Sequence, residues 1–297
     1  MESENILPID LPPEYLPFIS TAQADQVAGS RYVVASTDAP MTRPAEATIL
    51  WENDLWRLGR TADDKRFIEI FDVQTGGWHY VVAAEKDFSS GTLYPRRIPS
   101  RPSSIMPLHH PHDRALILGR LAHLHGGVVH SSCVAVDGKT MLFVGRSGAG
   151  KTTMARLWRQ VGATIVNDER NIIRMDGDTV IAGSSPWHGE ENQVSTLCAP
   201  LAGVFYLSQT PANRLKAVSC EDSVLRLFTT TFVPVFIEEG PEMILDSWSR
   251  ILDKVPSYDL GFVPDSRVVP FCLAALGSRT TDAATTLASP KAATINP

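Results

Sequence analysis

Cysteine is scarce: Cys133, Cys198, Cys220 and Cys272 are the only four in 297 residues, and no two form a CxxC pair. That spacing excludes a disulfide framework or a zinc ribbon and fits reduced thiols in a cytoplasmic protein. Long apolar runs are lacking too. No stretch approaches the roughly 18 residues of a membrane-spanning helix, so no membrane partner is expected. A basic excess is also missing. The 27 Lys and Arg stand against 33 Asp and Glu, for a net charge of −6. This argues against a general nucleic-acid binder but leaves room for a local basic pocket for a nucleotide. The opening Met1-Glu2-Ser3-Glu4 has no positive segment followed by an apolar core, so no signal peptide is expected and the expected location is cytoplasmic. What is present is ordinary for a globular protein: 43% hydrophobic and 20% charged residues. At roughly 150 residues per domain, the length allows about two domains or one large one. It suffices to bury a core without covalent staples.

Residues 1–27 are rich in proline and acidic side chains and read as an irregular arm. From Arg31 to Pro95 come short β-branched and aromatic runs, among them Thr48-Ile49-Leu50-Trp51, Phe67-Ile68-Glu69-Ile70-Phe71 and Trp78-His79-Tyr80-Val81-Val82. Turn residues such as Glu52-Asn53-Asp54 and Thr75-Gly76-Gly77 separate them, so residues 28–104 read as a β-rich region with an antiparallel meander. Arg96 to Pro111 reads as a linker. A helix is expected from His112 to His125, stopped by Gly126-Gly127. Val128–Val136 and Met141–Val144 then form a hairpin about Asp137-Gly138. Further helices are expected from Thr152 to Val161, Cys220 to Phe228 and Pro241 to Lys254. Strands are expected at Thr164-Ile165-Val166, on both sides of Asp176-Gly177, and from Leu201 to Leu207. Residues 105–272 thus form one α/β unit. Residues 273–297, rich in Ala, Thr and Ser, read as a disordered tail.

Gly145-Arg146-Ser147-Gly148-Ala149-Gly150-Lys151-Thr152 satisfies GxxxxGK[ST] in full, after an apolar strand and before an amphipathic helix. Glycines let successive backbone N–H groups turn inward around phosphate oxygens, and the following helix N-terminus adds partial positive charge. Gly145, Ser147, Gly148, Ala149, Gly150, Lys151, Thr152 and Thr153 are therefore the expected nucleotide-binding residues. Lys151 is expected to reach the β- and γ-phosphates, and Thr152 to ligate Mg²⁺.

Such a loop needs a carboxylate near the metal. Asp168 and Glu169 follow the Thr164-Ile165-Val166 strand, and neighbours on a strand point to opposite faces, so one of the two is expected to face the γ-phosphate. The bland alternative is an acidic turn held by Arg170. His130 reads either as a satisfied strand histidine or as a tunable imidazole beside the phosphates. Ser185-Pro186-Trp187-His188-Gly189-Glu190-Glu191 is a polar and aromatic loop of the kind that carries function, or a solvated turn with one anchoring tryptophan. The His109-His110-Pro111-His112 tract matches no metal-ligand spacing. Arg96-Arg97 and Arg101 read as a solvated linker.

The run His130-Ser131-Ser132-Cys133-Val134-Ala135-Val136-Asp137-Gly138, the glycine-rich loop, the Asn167-Asp168-Glu169-Arg170 box and Ser185-Pro186-Trp187-His188-Gly189-Glu190 together resemble the catalytic domain of HPr kinase/phosphorylase-related proteins. These belong to the superfamily that includes ATP-dependent phosphoenolpyruvate carboxykinases. The resemblance spans about residues 105–265. It implies a P-loop kinase core, largely β with flanking helices, here preceded by the β-rich region. It implies ATP and Mg²⁺ as cofactors, Asp168 as general base toward a substrate hydroxyl, and His130 near the phosphates. Glu169 and Glu190 would serve the metal with Thr152. The family's acidic pair is usually Asp-Asp, and here its second member is Glu169. The first hundred residues do not resemble the regulatory domain of true HPr kinases, and the implied acceptor is a peptide or small protein, whether HPr or a biosynthetic peptide. Many relatives are encoded near peptide-modification systems, lasso-peptide synthesis among them.

The expectation is thus an Mg-ATP-dependent kinase for a Ser or Thr hydroxyl, with Lys151, Asp168 and His130 as its catalytic residues. A homo-oligomer is left open. Two other readings remain: a nucleotide-binding scaffold without turnover, and a small-molecule carboxykinase-like enzyme.

Overall fold

The computed structural model describes residues 11–19, 30–35, 47–71, 78–95, 108, 111–189 and 194–277. Its first element is a short 3₁₀ helix, Pro13–Phe18, within the stretch expected to be an irregular arm. Six strands follow: β1 (Arg31–Val34), β2 (Thr48–Glu52), β3 (Trp56–Arg60), β4 (Arg66–Phe71), β5 (Trp78–Ala84) and β6 (Ser90–Pro95). They form one sheet in the order β1-β6-β5-β4-β3-β2. From β2 to β6 it is the expected antiparallel meander, while β1 joins β6 in parallel. The apolar face of this sheet, with Leu58, Ile68, Val82 and Leu93, closes on Ala115 and Leu116 of helix α1 (His112–His123) and on Phe236 and Ile237.

After α1 come β7 (Gly126–Val136) and β8 (Lys139–Val144), a hairpin whose turn residues Asp137 and Gly138 both have positive φ. Then follow α2 (Lys151–Gln160), β9 (Thr164–Asn167), β10 (Arg170–Asp176), β11 (Thr179–Ser184), β12 (Cys198–Gln209) and β13 (Arg214–Ala217). The chain continues through α3 (Cys220–Phe228), α4 (Gly240–Lys254), β14 (Ser257–Phe262) and α5 (Val268–Gly277). The second sheet runs β11-β10-β7-β8-β12-β14-β13, and β11 also pairs with β12. Two long strands make this possible. β7 pairs with β10 through Gly126–His130 and with β8 through Ser131–Val136. β12 pairs with β11 through Cys198–Pro200, then with β8 and β14 further along.

Both faces of the second sheet are buried, as expected for strands that read as nearly continuous apolar runs. Along β8, Leu142 and Val144 face the core under α3 and α4, whereas Met141 and Phe143 face the core under α2 and α5. Period-2 alternation therefore feeds two cores from one strand. β12 does the same with Val204 and Tyr206 on one side and Phe205 and Leu207 on the other. The parallel strands β8, β12 and β14 run toward the same edge of the sheet, β12 and β14 reaching beyond the last β8 pair, and the glycine-rich loop leaves the end of β8. Carboxyl ends of parallel strands are where ligands gather in open α/β sheets.

The result is a mixed α/β protein with two sheets. α5 carries helical structure to Gly277, which corrects the tail expected from residue 273. Among the described residues no helix is long and apolar enough to cross a membrane.

Candidate functional site

The site is built around the turn from β8 into α2. Gly148 and Gly150 have φ of 78° and 106°, and Gly150 caps α2. A Cβ at Gly150 would lie 2.5 Å from the Phe262 ring at the end of β14, so only glycine fits that backbone and that neighbour together. Gln209 at the end of β12 donates to the Gly148 carbonyl at 3.4 Å. The ends of β12 and β14 thus hold the loop from below.

Lys151 is 8% exposed, and its Nζ donates to the carbonyls of Gly145 (2.8 Å) and Arg146 (3.4 Å). Burial pulls the pKa of this amine below its ordinary value, while nearby Glu169 opposes the shift and favours the charged form. Thr152 is exposed and Thr153 half-buried on the first turn of α2.

Asp168 and Glu169 lie in the tight turn between β9 and β10, not on a strand, which corrects the expectation that they face opposite ways. The fully buried Asn167 shapes the turn. Its Oδ1 accepts from the backbone N–H groups of Glu169 (2.8 Å) and Arg170 (2.9 Å), an Asx-type arrangement. Both carboxylates consequently line one cleft. The Gly189 N–H donates to Asp168 Oδ1 at 3.2 Å. A Cβ at Gly189 would sit 3.2 Å from Asp168 Oδ2 and 3.3 Å from the Glu169 Cβ, so a bare backbone is what lets this loop approach. Glu169 also stands 3.5 Å from Arg170, the contact the acidic-turn reading anticipated.

One cleft of about 500 Å³ is lined by His130, Ser147, Gly148, Gly150, Lys151, Thr152, Thr153, Arg156, Asp168, Glu169, Gly189 and Gln209. The expected base, histidine, lysine and metal-side residues therefore meet in one place although they are spread from residue 130 to 169. Gly145 and Ala149 line an adjoining cavity of about 520 Å³ with Tyr206, Arg226, Thr229 and Thr230. Glu190 lies outside the described residues. Sequence reading missed Gly189, Gln209 and Arg156 as cleft residues. It quoted Asn167 without giving it a task, and the only signal was its place one residue before an acidic pair in a turn. Among the described residues no group of three or more His, Cys, Asp or Glu is arranged to hold a metal.

His130 sits on β7 opposite Arg170 of β10. Burial, reinforced by Lys151 and Arg170 and opposed by Glu169, holds its imidazole below the ordinary value. The unfolded chain thus takes up this proton at a higher pH than the folded protein. The neutral histidine's contribution to stability is present above about 6.5 and is lost as pH falls through the lower folded value. We predict that His130→Gln flattens the loss of stability below that pH. Urea denaturation from pH 5 to 7.5 checks it. Parallel pH profiles for variant and wild type would show that His130 carries no such linkage.

No protein-family model and no curated protein matches this chain. Among solved structures, it is similar to the HPr(Ser) kinase/phosphatase from Coxiella burnetii. The identity is 12% over 52% of this chain and 89% of that chain, with a TM-score of 0.28.

Proposed function

We propose that the protein is an Mg-ATP-dependent kinase that phosphorylates a Ser or Thr hydroxyl of a peptide or small protein. The observation that carries this reading is the single cleft in which a glycine-rich helix N-terminus, Lys151, His130 and two carboxylates converge. The residues suit a triphosphate. The loop offers backbone without side chains at Gly148 and Gly150, a helix N-terminus and one buried ammonium group. Lys151 and the loop amides would hold the phosphates, and Thr152 with Glu169 would face the metal. Mg-ATP supplies the phosphoryl group and, through the ion, part of the neutralising charge.

The chain's own residues do the rest. Lys151 holds negative charge at the loop, and the glycine backbone orients it. Asp168 has Oδ1 fixed by the Gly189 amide, while no donor among the described residues takes Oδ2. That oxygen is available for the proton of an acceptor hydroxyl. His130, whose imidazole burial holds below its ordinary value, would lend a hydrogen bond rather than a charge. The β1–β6 sheet serves acceptor recognition. The net charge of −6 gives no support to a nucleic-acid acceptor.

The test is to incubate the protein with labelled ATP, Mg²⁺ and Ser- or Thr-containing peptides encoded beside its gene. The expected result is a mass gain of one phosphate on a peptide. ATP at a hundredfold excess over Kd should also stabilise the wild type by about 2.7 kcal/mol. Lys151→Ala should abolish that gain and the transfer. An undiminished ATP-induced rise in Tm for Lys151→Ala would remove the nucleotide from this loop.

A further inference from the structure

One buried polar cluster ties the arm before the sheets to the edge of the cleft. Asp113, 3% exposed in the first turn of α1, accepts at Oδ2 from the Tyr15 hydroxyl (2.6 Å) and from the Trp187 indole N–H (3.1 Å). Its Oδ1 accepts from the Arg114 N–H at 2.6 Å. Tyr15 and Trp187 are themselves 6% and 8% exposed. Trp187 is gripped again through its backbone, where its carbonyl accepts from Asn167 Nδ2 (3.0 Å) and Ser185 Oγ (3.1 Å). Two residues on, the Gly189 N–H meets Asp168. A continuous set of hydrogen bonds and two peptide units therefore runs from Tyr15 to the carboxylate proposed as base.

We propose that the Pro13–Phe18 helix is a strap for the cleft, and that Tyr15, Asp113 and Trp187 are positioning residues that seat the Gly189 amide against Asp168. This rests on the kinase reading for its effect on turnover, but not for its effect on loop order. Asp113 is a buried carboxylate whose side-chain donors come from segments far apart in the chain, 98 and 74 residues away. A buried carboxylate is costly unless its oxygens are taken, so the cluster forms as a unit and loosens as one. Removing the Tyr15 hydroxyl leaves Oδ2 with the indole alone. Trp187 keeps its bonds to Asp113 and Asn167, but Asp113 is no longer tied to the Pro13–Phe18 helix, so the tryptophan's far anchor is itself held less firmly.

Amide hydrogen exchange of the full chain tests this without any need for activity. Tyr15→Phe should speed exchange across residues 184–189 about tenfold, as expected for loss of one hydrogen bond to a charged group. It should leave α2 and the glycine-rich loop unchanged. In a Trp187→Phe background the same substitution should have no further effect on the loop, since the link it acts through is already cut. Leu16→Ala, at an exposed position of the same helix, should change nothing. Single-turnover phosphate transfer by Tyr15→Phe should fall about tenfold with KM for ATP unchanged. Unaltered exchange at 184–189 overturns the strap, as does a uniform increase over the whole molecule. Local loosening with undiminished turnover overturns the positioning role. If the wild type itself transfers no phosphate, the kinase reading falls while exchange and the double-variant comparison still decide the strap.

Discussion

Asp168→Asn is expected to lower phosphate transfer about 10²–10⁴-fold while leaving ATP affinity within a small factor of wild type. The substitution keeps the size of the side chain, and a carboxamide oxygen can still accept from the Gly189 amide, which lies 3.2 Å from Asp168 Oδ1. What it removes is the oxygen able to take a proton from the acceptor hydroxyl. A contact used only to bind nucleotide would show in KM or Kd instead. Glu169→Gln is the paired variant. It sits beside Lys151 and Arg170 in the same cleft, so it should weaken Mg-ATP binding as well as turnover. An acidic turn with no chemical task makes a third prediction: a modest loss of stability for both variants and no selective loss of rate. Calorimetric ATP affinity and single-turnover transfer, measured on both, separate the three. Near wild-type transfer by Asp168→Asn would sink its assignment as base.

Much of the architecture was legible because local signals were strong. Helix α3 runs Cys220–Phe228 as its pattern foretold, for its start is fixed by Ser219 accepting from the Asp222 N–H. The Asp137-Gly138 turn needs two residues tolerant of positive φ, and the sequence supplies them. α5 was missed for the opposite reason. Val268-Val269-Pro270-Phe271-Cys272-Leu273 is apolar all round, so no stripe marks a face, and its burial beside α2 depends on residues a hundred positions away. β13 and β14 are short strands whose partners are set by the sheet rather than by their own composition. Local pattern has no access to such pairing.

The site divides in the same way. The glycine-rich loop is a local motif, and its positive φ values follow from its glycines. The orientation of Asp168 and Glu169 is not local. Period-2 logic placed them on opposite faces, whereas they lie in a tight turn closed by the Asn167 side chain, and both residues line the cleft beside the loop. The approach of Gly189 depends likewise on a loop held from three directions. Those contacts are tertiary, and only the fold displays them.

Asn167 is where that tertiary order concentrates, and its replacement should be the most damaging single change in the site. Its Nδ2 serves Ser184 Oγ (2.9 Å), the Ser185 carbonyl (3.1 Å) and the Trp187 carbonyl (3.0 Å), and its Oδ1 serves two backbone amides. Asn167→Ala leaves several buried groups without partners at once. At roughly 1–3 kcal/mol for each group left unsatisfied, and with partial relaxation, the expected loss is about 3–5 kcal/mol. That is a large share of the roughly 5–15 kcal/mol that holds a typical domain together. Asn171 is the natural comparison, equally buried and one strand residue beyond the turn. Its Nδ2 donates to Ser131 at the carbonyl (2.8 Å) and hydroxyl (3.0 Å) and, at 3.4 Å, to the Asn167 carbonyl, but among the described residues its Oδ1 has no partner, so it chiefly organises β7 and meets the acidic turn through one long bond. Asn171→Ala should therefore cost about 1–2 kcal/mol and spare most of the transfer rate. Asn167→Ala should lose both stability and transfer, even at temperatures where the variant remains folded. Urea unfolding with single-turnover transfer at 15 °C measures the two together. Equal costs for the two variants would mean that Asn167 supports the fold generally and does not set the geometry of Asp168.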